Sequence, residues 1–216
     1  MAERPIFLPV RRGAKLVQTV QVEFHWHAGM SPSQKRKNVI ELHAAAWKIG
    51  IGPLLETSSK SELEAGRRLS AFHLPYELDG IKSTVESVFQ GSKVFEGGGP
   101  FSDLYDRPSR EAKLDPRLQD SGKLIAFEYM GERFPLSPPS VFYDWLYVRA
   151  LYPHRSWLER LTFYSGFTDI EFNPQKSINC QARSCALFVS LQSRGYLEIA
   201  NESFNEFLDL EAAGMI

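Results

Sequence analysis

Glu86, Gln90 and Lys93 stand four and then three residues apart in the segment STVESVFQGSKVFEGGGP. On a helix, positions i, i+4 and i+7 share one face. A carboxylate, an amide and an ammonium would then lie together, with Val85, Val88, Phe89, Ser92 and Phe95 on a neighbouring face that can be buried. A carboxylate held in this way against the body of a protein can take up or deliver a proton. Gly97, Gly98, Gly99 and Pro100 end the helix and bring bare backbone close by. The same residues support a plainer reading. Ser83-Thr84-Val85-Glu86 fits a capping box, with Ser83 as N-cap and Glu86 at N3, in which case the carboxylate ties off the start of its own helix.

Lys35 is a second candidate. Ser31-Pro32-Ser33-Gln34 reads as a helix start, in which Ser31 caps, Pro32 takes the first helical position and Gln34 closes the box. The helix is expected to run to about Lys48, stopped by Gly50, with Val39, Leu42, Ala46 and Ile49 as its apolar stripe. Lys35 lies one turn before Val39 and continues that stripe, whereas Arg36 and Lys37 point elsewhere. A lysine so placed either snorkels from the edge of the core or enters a cleft, where an amine can attack an aldehyde or a sugar C1. A third concentration of functional groups is the loop Asp169 to Asn179 (DIEFNPQKSIN), which carries Asp169, Glu171, Asn173, Lys176 and Asn179 ahead of a helix start at Ser177. Helix N-terminal amides attract anions, so the loop suits phosphate or ribose, although loops are polar for general reasons too.

The elements that must position these groups follow from the pattern. Val17 to Trp26 reads as a strand, Leu69 to Leu74 (LSAFHL) as a short strand, and Leu124 to Tyr129 as another. Residues 103–123 are polar and charged and read as an exposed excursion. Helices are expected from Pro138 through Leu151, over roughly Ser156 to Tyr164, and from Ser177 to about Ser193. Residues 196–200 read as a strand, and Glu202 to Glu211 as an acidic amphipathic tail with a solvated face.

The 216 residues carry a net charge of −1 and are 43% hydrophobic. That is enough apolar material for a sizeable core, with no global basic field to draw the chain onto nucleic acid or membrane. No linker, repeat or low-complexity tract divides it. One domain over 1–216 is therefore expected, with an N-terminal strand region 1–30, a core 31–195 and an acidic tail 196–216. No apolar run approaches transmembrane length and residues 1–10 lack a signal-peptide core, which points to the cytoplasm. The two cysteines, Cys180 and Cys185, read as reduced and buried. His25 and His27 would share one face of a strand but lack a third ligand, and His43, His73 and His154 are scattered. No metal or other cofactor is expected.

QKRKNVIELH, LETSSKS, LSAFHL, VESVFQGSKVFEGGGP, FYDWLY and FTDIEFNPQKSINCQA, spread over residues 34–182, together resemble the NADAR family, in the branch found beside DarT-type DNA ADP-ribosyltransferase toxins. Broader members carry Ser-Asn-Phe, then Glu-His-Tyr-Phe-Gln with a lysine three residues on, then an Asn-containing loop leading into a helix. Here Ser70-Ala71-Phe72 stands for the first, with Ala71 where Asn is usual. Glu86 to Gln90 with Lys93 stands for the second, and Asn173 to Asn179 for the third. The family's essential glutamate falls on Glu86. The broader family's Trp-Gly-Asp-Gly run is absent. Ile170-Glu171-Phe172-Asn173 occupies its place, so Asp169 or Glu171 takes the acidic role.

The resemblance implies a predominantly helical α+β fold with a small sheet. It also implies an antitoxin N-glycosidase that removes ADP-ribose from the exocyclic amine of ADP-ribosylated guanine in DNA. ADP-ribosylated DNA, the product ADP-ribose and a cognate DarT-type toxin are the implied partners. Lys93, Lys176 and the amides of the loop would meet the pyrophosphate, Ser70, Phe72 and Gln90 would line the site with Phe72 as the adenine wall, and Asn173 and Asn179 would serve the ribose. Either Glu86 activates water, or Lys35 forms a Schiff base while Glu86 shuttles protons. Two other functions fit the residues. One is cleavage of a phosphorylated riboflavin-pathway intermediate. The other is non-catalytic binding of toxin or modified DNA through Lys35, Arg36, Lys37, Arg67 and Arg68.

Overall fold

A computed structural model describes residues 1–78 and 80–210. The chain opens with β1 (Ala2–Pro9) and β2 (Val17–Phe24), paired antiparallel from Ala2↔Phe24 to Pro9↔Val17. Helix α1 (Pro32–Lys48) crosses them. Its start is the one legible in the sequence: the Ser31 hydroxyl accepts from the Gln34 amide and Pro32 sits in the first turn. Asn38, Val39, Leu42 and Ala46 form its buried stripe, packed with Ile6, Val22, Phe24 and Ile170 in a small second core. Ile49 does not belong to the stripe. It follows the helix and is exposed, because the chain has already turned towards Gly50.

β3 (Leu54–Glu56) leads to the short α2 (Glu64–Arg68), β4 (Pro75–Leu78), β5 (Ile81–Thr84) and α3 (Val85–Gly91). Gly66 lets α2 lie on β3, since a Cβ there would stand 2.0 Å from the Glu56 carbonyl oxygen. After α3 come β6 (Lys93–Phe95), a 3-10 turn at Ser102–Asp106, α4 (Ser109–Lys113), α5 (Arg117–Asp120), β7 (Leu124–Tyr129) and β8 (Glu132–Phe134). The last third holds α6 (Val141–Leu151), α7 (Arg155–Leu158), β9 (Gly166–Thr168), α8 (Gln181–Arg194), α9 (Leu197–Glu202) and α10 (Phe204–Leu210).

The strands make three small sheets: β2-β1-β9-β3, with β9 parallel to β3; β4-β5; and β6-β7-β8. Helices α6 and α8, both buried along most of their length, run through the main core against α3 and the sheets. The protein is thus mixed α+β, with its helices carrying most of the core. Among the described residues no helix is long and apolar enough to cross a membrane.

Four expected elements differ. Leu69 to Leu74 is a run of turns, not a strand: the His73 and Leu74 amides both bond back to the Ser70 carbonyl, and the strand begins at Pro75. Residues 196–200 are helical, because Leu197, Ala200 and Phe204 reach the core at helical spacing. Helix α3 ends at Gly91, so Lys93 and Phe95 lie on a strand. Gly99 serves a turn packed on that strand and not a helix end. Its φ is +95°, and a Cβ would stand 2.3 Å from the Lys93 carbonyl oxygen. Finally, residues 103–123 are exposed for the most part but not throughout, since Leu104, Tyr105 and Ala112 are buried. In the tail, Phe204 and Phe207 of α10 are buried, so one of its faces is a core face; the tail's end, 211–216, lies outside the described residues.

Candidate functional site

The start of α3 is built by hydroxyls. Thr84, not Ser83, is the N-cap, and its oxygen accepts from the Ser87 amide at 3.2 Å. The Ser83 hydroxyl donates to the Tyr105 carbonyl instead. Thr84 also meets the Ser109 hydroxyl at 2.7 Å, and Ser109 donates to the Phe72 carbonyl at 2.9 Å. The Glu86 amide bonds to the Ala71 carbonyl, while the Ala71 amide donates to Gln181 Oε1. These bonds join α3, α4, the 70–74 turn and the start of α8 at one corner.

The cap residue being Thr84 places Glu86 at N2, and its side chain takes no part in capping. The carboxylate is buried, and the amide of Gln90 donates to its Oε1 at 2.9 Å. The ammonium of Lys113, from α4, lies 3.3 Å from the same oxygen. Oε2 accepts no hydrogen bond among the described residues. Lys93 Nζ donates to Gln90 Oε1 at 2.6 Å and lies 5.0 Å from the centre of the Phe89 ring. Glu86, Gln90 and Lys93 therefore form one chain of contacts, with the strand start replacing the last helical turn. Burial lowers the Lys93 ammonium to about 8, against the opposing pull of Glu86. Lys113 also lies 4.9 Å from the half-buried Phe72 ring, so the predicted aromatic wall stands beside the predicted carboxylate. Nothing in the pattern of 103–123 marks Lys113, whose side chain is half exposed, as reaching Glu86.

Lys35 is largely buried, with 12% of its side chain exposed. It is paired with Glu171 Oε1 at 3.0 Å and lies 5.9 Å from the Trp26 ring. Asp169 Oδ1 accepts from the Glu171 amide, and Gln181 also bonds to Asp169. Since Gln181 holds the Ala71 amide, the Lys35–Glu171 pair and Glu86 are linked through the loop that follows β9. Burial raises the Asp169 carboxyl.

Other predicted residues are divided. Ser70 is buried and contributes its carbonyl to the turn. Asn173 turns inward on its own loop, accepting from the Gln175 amide, and Lys176 is exposed. Asn179 is half-buried and lines a cavity of about 280 Å³ together with Lys93 and Tyr143. Ser177 is not a helix cap. Its hydroxyl donates to the Asn179 carbonyl, and α8 begins at Gln181 after Cys180. A wider cleft of about 640 Å³ is lined by Tyr76, Tyr129, Arg149 and Tyr152 and by none of the predicted site residues. Of the five basic residues considered as a phosphate patch, Lys35 pairs with Glu171, Arg68 with Glu64, and Arg67 bonds to the Ser61 and Glu62 carbonyls.

Sequence reasoning also passed over Glu56. It is buried, accepts from the Thr168 hydroxyl at 2.7 Å and the Ile170 amide at 3.0 Å, and so fixes the first residues of the 169–179 loop to β3. The only signal was LETSSKS itself, an acid inside a strand. His43 meets the same Thr168 hydroxyl at 2.8 Å, and burial lowers its imidazole to about 4.

No curated protein matches the chain. Residues 2–214 match the family model described as DarT1-associated NADAR antitoxin. That match spans nearly the whole chain and includes every residue of the Glu86 corner, and the chain belongs to this family of NADAR antitoxins.

Proposed function

We propose that the protein hydrolyses the N-glycosidic bond between ADP-ribose and the exocyclic amine of guanine in DNA, undoing the action of a DarT1-type toxin. The observation that carries this reading is Glu86: a buried carboxylate, free of capping duty, with one oxygen held by Gln90 and Lys113 and the other unbound among the described residues. Such a group acts on a water beside the anomeric carbon. The water oxygen bonds to that carbon as the carbon–nitrogen bond breaks, through an oxocarbenium-like transition state. Glu86 takes the water's proton and the departing amine, which keeps the bond pair, receives it. Lys93 and Lys113 face the phosphates, and Phe72 stands against the adenine.

Lys35 supplies a second route. Its amine exchanges with the guanine amine on the ring-opened sugar, giving a lysine imine that water then hydrolyses. Glu171, 3.0 Å away, is the group placed to take the ammonium's proton. Borohydride trapping and intact mass separate the routes. An adduct lost in Lys35→Ala supports the imine, and absence of a wild-type adduct removes it.

The decisive experiment follows ADP-ribose release from a guanine-ADP-ribosylated oligonucleotide. Wild type releases it, and Glu86→Gln loses turnover by at least ~10²-fold, the scale of a lost general base. Undiminished turnover in Glu86→Gln refutes the assignment. Release from a phosphorylated riboflavin intermediate and not from the oligonucleotide would shift the substrate. Neutralisation by binding alone requires a free basic patch. Three of its five residues are already engaged within the protein, which favours the enzyme.

A further inference from the structure

Tyr143, in FYDWLY at the start of α6, has no part in the chemistry above. Its ring is fixed edge-on to Phe89, 5.1 Å between centroids, and lies beside Tyr147 at 6.1 Å. The residue is only 5% exposed, yet its hydroxyl has no hydrogen-bond partner among the described residues and is not among the polar atoms sealed from solvent. What it lines is the 280 Å³ cavity shared with Lys93 and Asn179. The same cavity is lined by a ladder of rings, Phe89 to Phe127 at 5.3 Å and Phe127 to Phe142 at 4.6 Å, the latter stacked.

Burial, with the nearby charges of Glu86, Asp169 and Asp144, pushes the Tyr143 phenol well above its ordinary value. It therefore keeps its proton and acts as a donor. Unbonded within the described residues and open to the cavity, this hydroxyl can donate to an acceptor that a ligand brings. A cavity with aromatic walls and a few convergent polar groups is the pattern of a site for a flat heterocycle. Sugars and phosphates would leave the aromatic side of this one without a partner.

We propose that the cavity is a purine seat, in which the Tyr143 hydroxyl and the Asn179 amide meet the nitrogen and oxygen acceptors on the ring's edge while Phe89, Phe127 and Phe142 line its apolar side. The inference rests on the glycohydrolase reading, whose substrate carries two purines, the adenine of ADP-ribose and the modified guanine. Phe72 beside Lys113 provides one aromatic place and this cavity provides the other.

Calorimetric titration of wild type and Tyr143→Phe with ADP-ribose, 2′-deoxyguanosine and ribose 5-phosphate tests it. The phenylalanine keeps the ring packing and removes only the donor. Binding of whichever purine ligand fills the seat is expected to weaken about 3- to 10-fold, the scale of one neutral hydrogen bond, and the ligand affected identifies the purine. Unchanged affinity for both purine ligands overturns the proposal. So does an equal loss on ribose 5-phosphate, or a wild type that binds neither purine. ADP-ribose release from the modified oligonucleotide, measured on the same samples, keeps the two claims apart. Turnover with unaltered Tyr143→Phe affinities ends the purine seat alone, whereas lack of wild-type turnover ends the glycohydrolase reading.

Discussion

Glu86 and Glu56 are almost equally removed from solvent, at 5% and 3% exposure, but their surroundings differ in kind. Glu56 spends both oxygens on the fold: the Thr168 hydroxyl holds one and the Ile170 amide the other. Among the described residues no lysine or arginine pairs with it. Burial, and then the charge of Asp169, push its carboxyl up to about 8. Glu86 shares a single oxygen between an amide and an ammonium and leaves the other open. A buried acid is therefore no sign of chemistry by itself. What separates the two is whether the carboxyl's hydrogen-bonding capacity is exhausted by the protein.

The sharpest way to break this contrast is to remove each acid in turn. Glu86→Gln should abolish most turnover, as argued above, while its urea midpoint moves little, since Thr84 still caps the helix. Glu56→Ala should do the reverse. It leaves the Thr168 hydroxyl and the Ile170 amide without their acceptor inside the protein, a loss of about 2–4 kcal/mol in unfolding free energy. Turnover of the molecules that remain folded should stay within about tenfold of wild type. If the kinetic and thermodynamic effects fall the other way round, the roles assigned to the two glutamates are exchanged.

The same contrast appears in pH dependence. Glu56 is raised from an ordinary 4.5 to about 8, so the folded protein holds a proton that the unfolded chain releases between those values. Stability from this group is complete below 4.5 and disappears as pH rises to 8. Lys93 is lowered from 10.5 to about 8, so between 8 and 10.5 the unfolded chain binds the extra proton and stability rises with pH. Asp169 acts with Glu56, and His43, lowered from 6.5 to about 4, acts against it. The quantity to measure is therefore a difference between variants. The melting temperature of Glu56→Gln minus that of wild type should climb from pH 4.5 to 8, and that of Lys93→Met minus wild type should fall from pH 8 to 10.5. A flat difference in either window removes the corresponding burial effect.

Much of the Glu86 corner could be read from spacing, because Glu86 and Gln90 are one helical turn apart and local geometry alone brings them together. Lys93 reached the same cluster by another route, from the strand start after Gly91, so the right partner was found with the wrong element. Lys113 and Tyr143 could not be read from spacing as neighbours of this corner, since both arrive through tertiary packing of α4 and α6 on α3. The 70–74 turn was misread as a strand because its apolar residues face the core from consecutive turns, a placement set by hydrogen bonds to Gln181 and to α3. Ser177 had the composition of a cap but none of the geometry. The fold class survived these errors because the α1 start, β7 and the apolar runs of α6 and α8 are specified locally.

The smallest test concerns the cap itself. Ser83 and Thr84 are adjacent hydroxyl residues, and the choice between them decides whether Glu86 falls at N3, where it can reach back to the cap, or at N2, where it cannot. Thr84→Ala removes the acceptor of the Ser87 amide and should lower stability by about 1 kcal/mol, read from urea unfolding. It also cuts the contact to Ser109, which holds the Phe72 carbonyl, so a weaker hold on the adenine should raise KM with kcat little changed. A fall in kcat comparable to that of Glu86→Gln would mean that the cap and the carboxylate proposed to react are one device, and the separation between holding and reacting groups at the start of α3 would be lost.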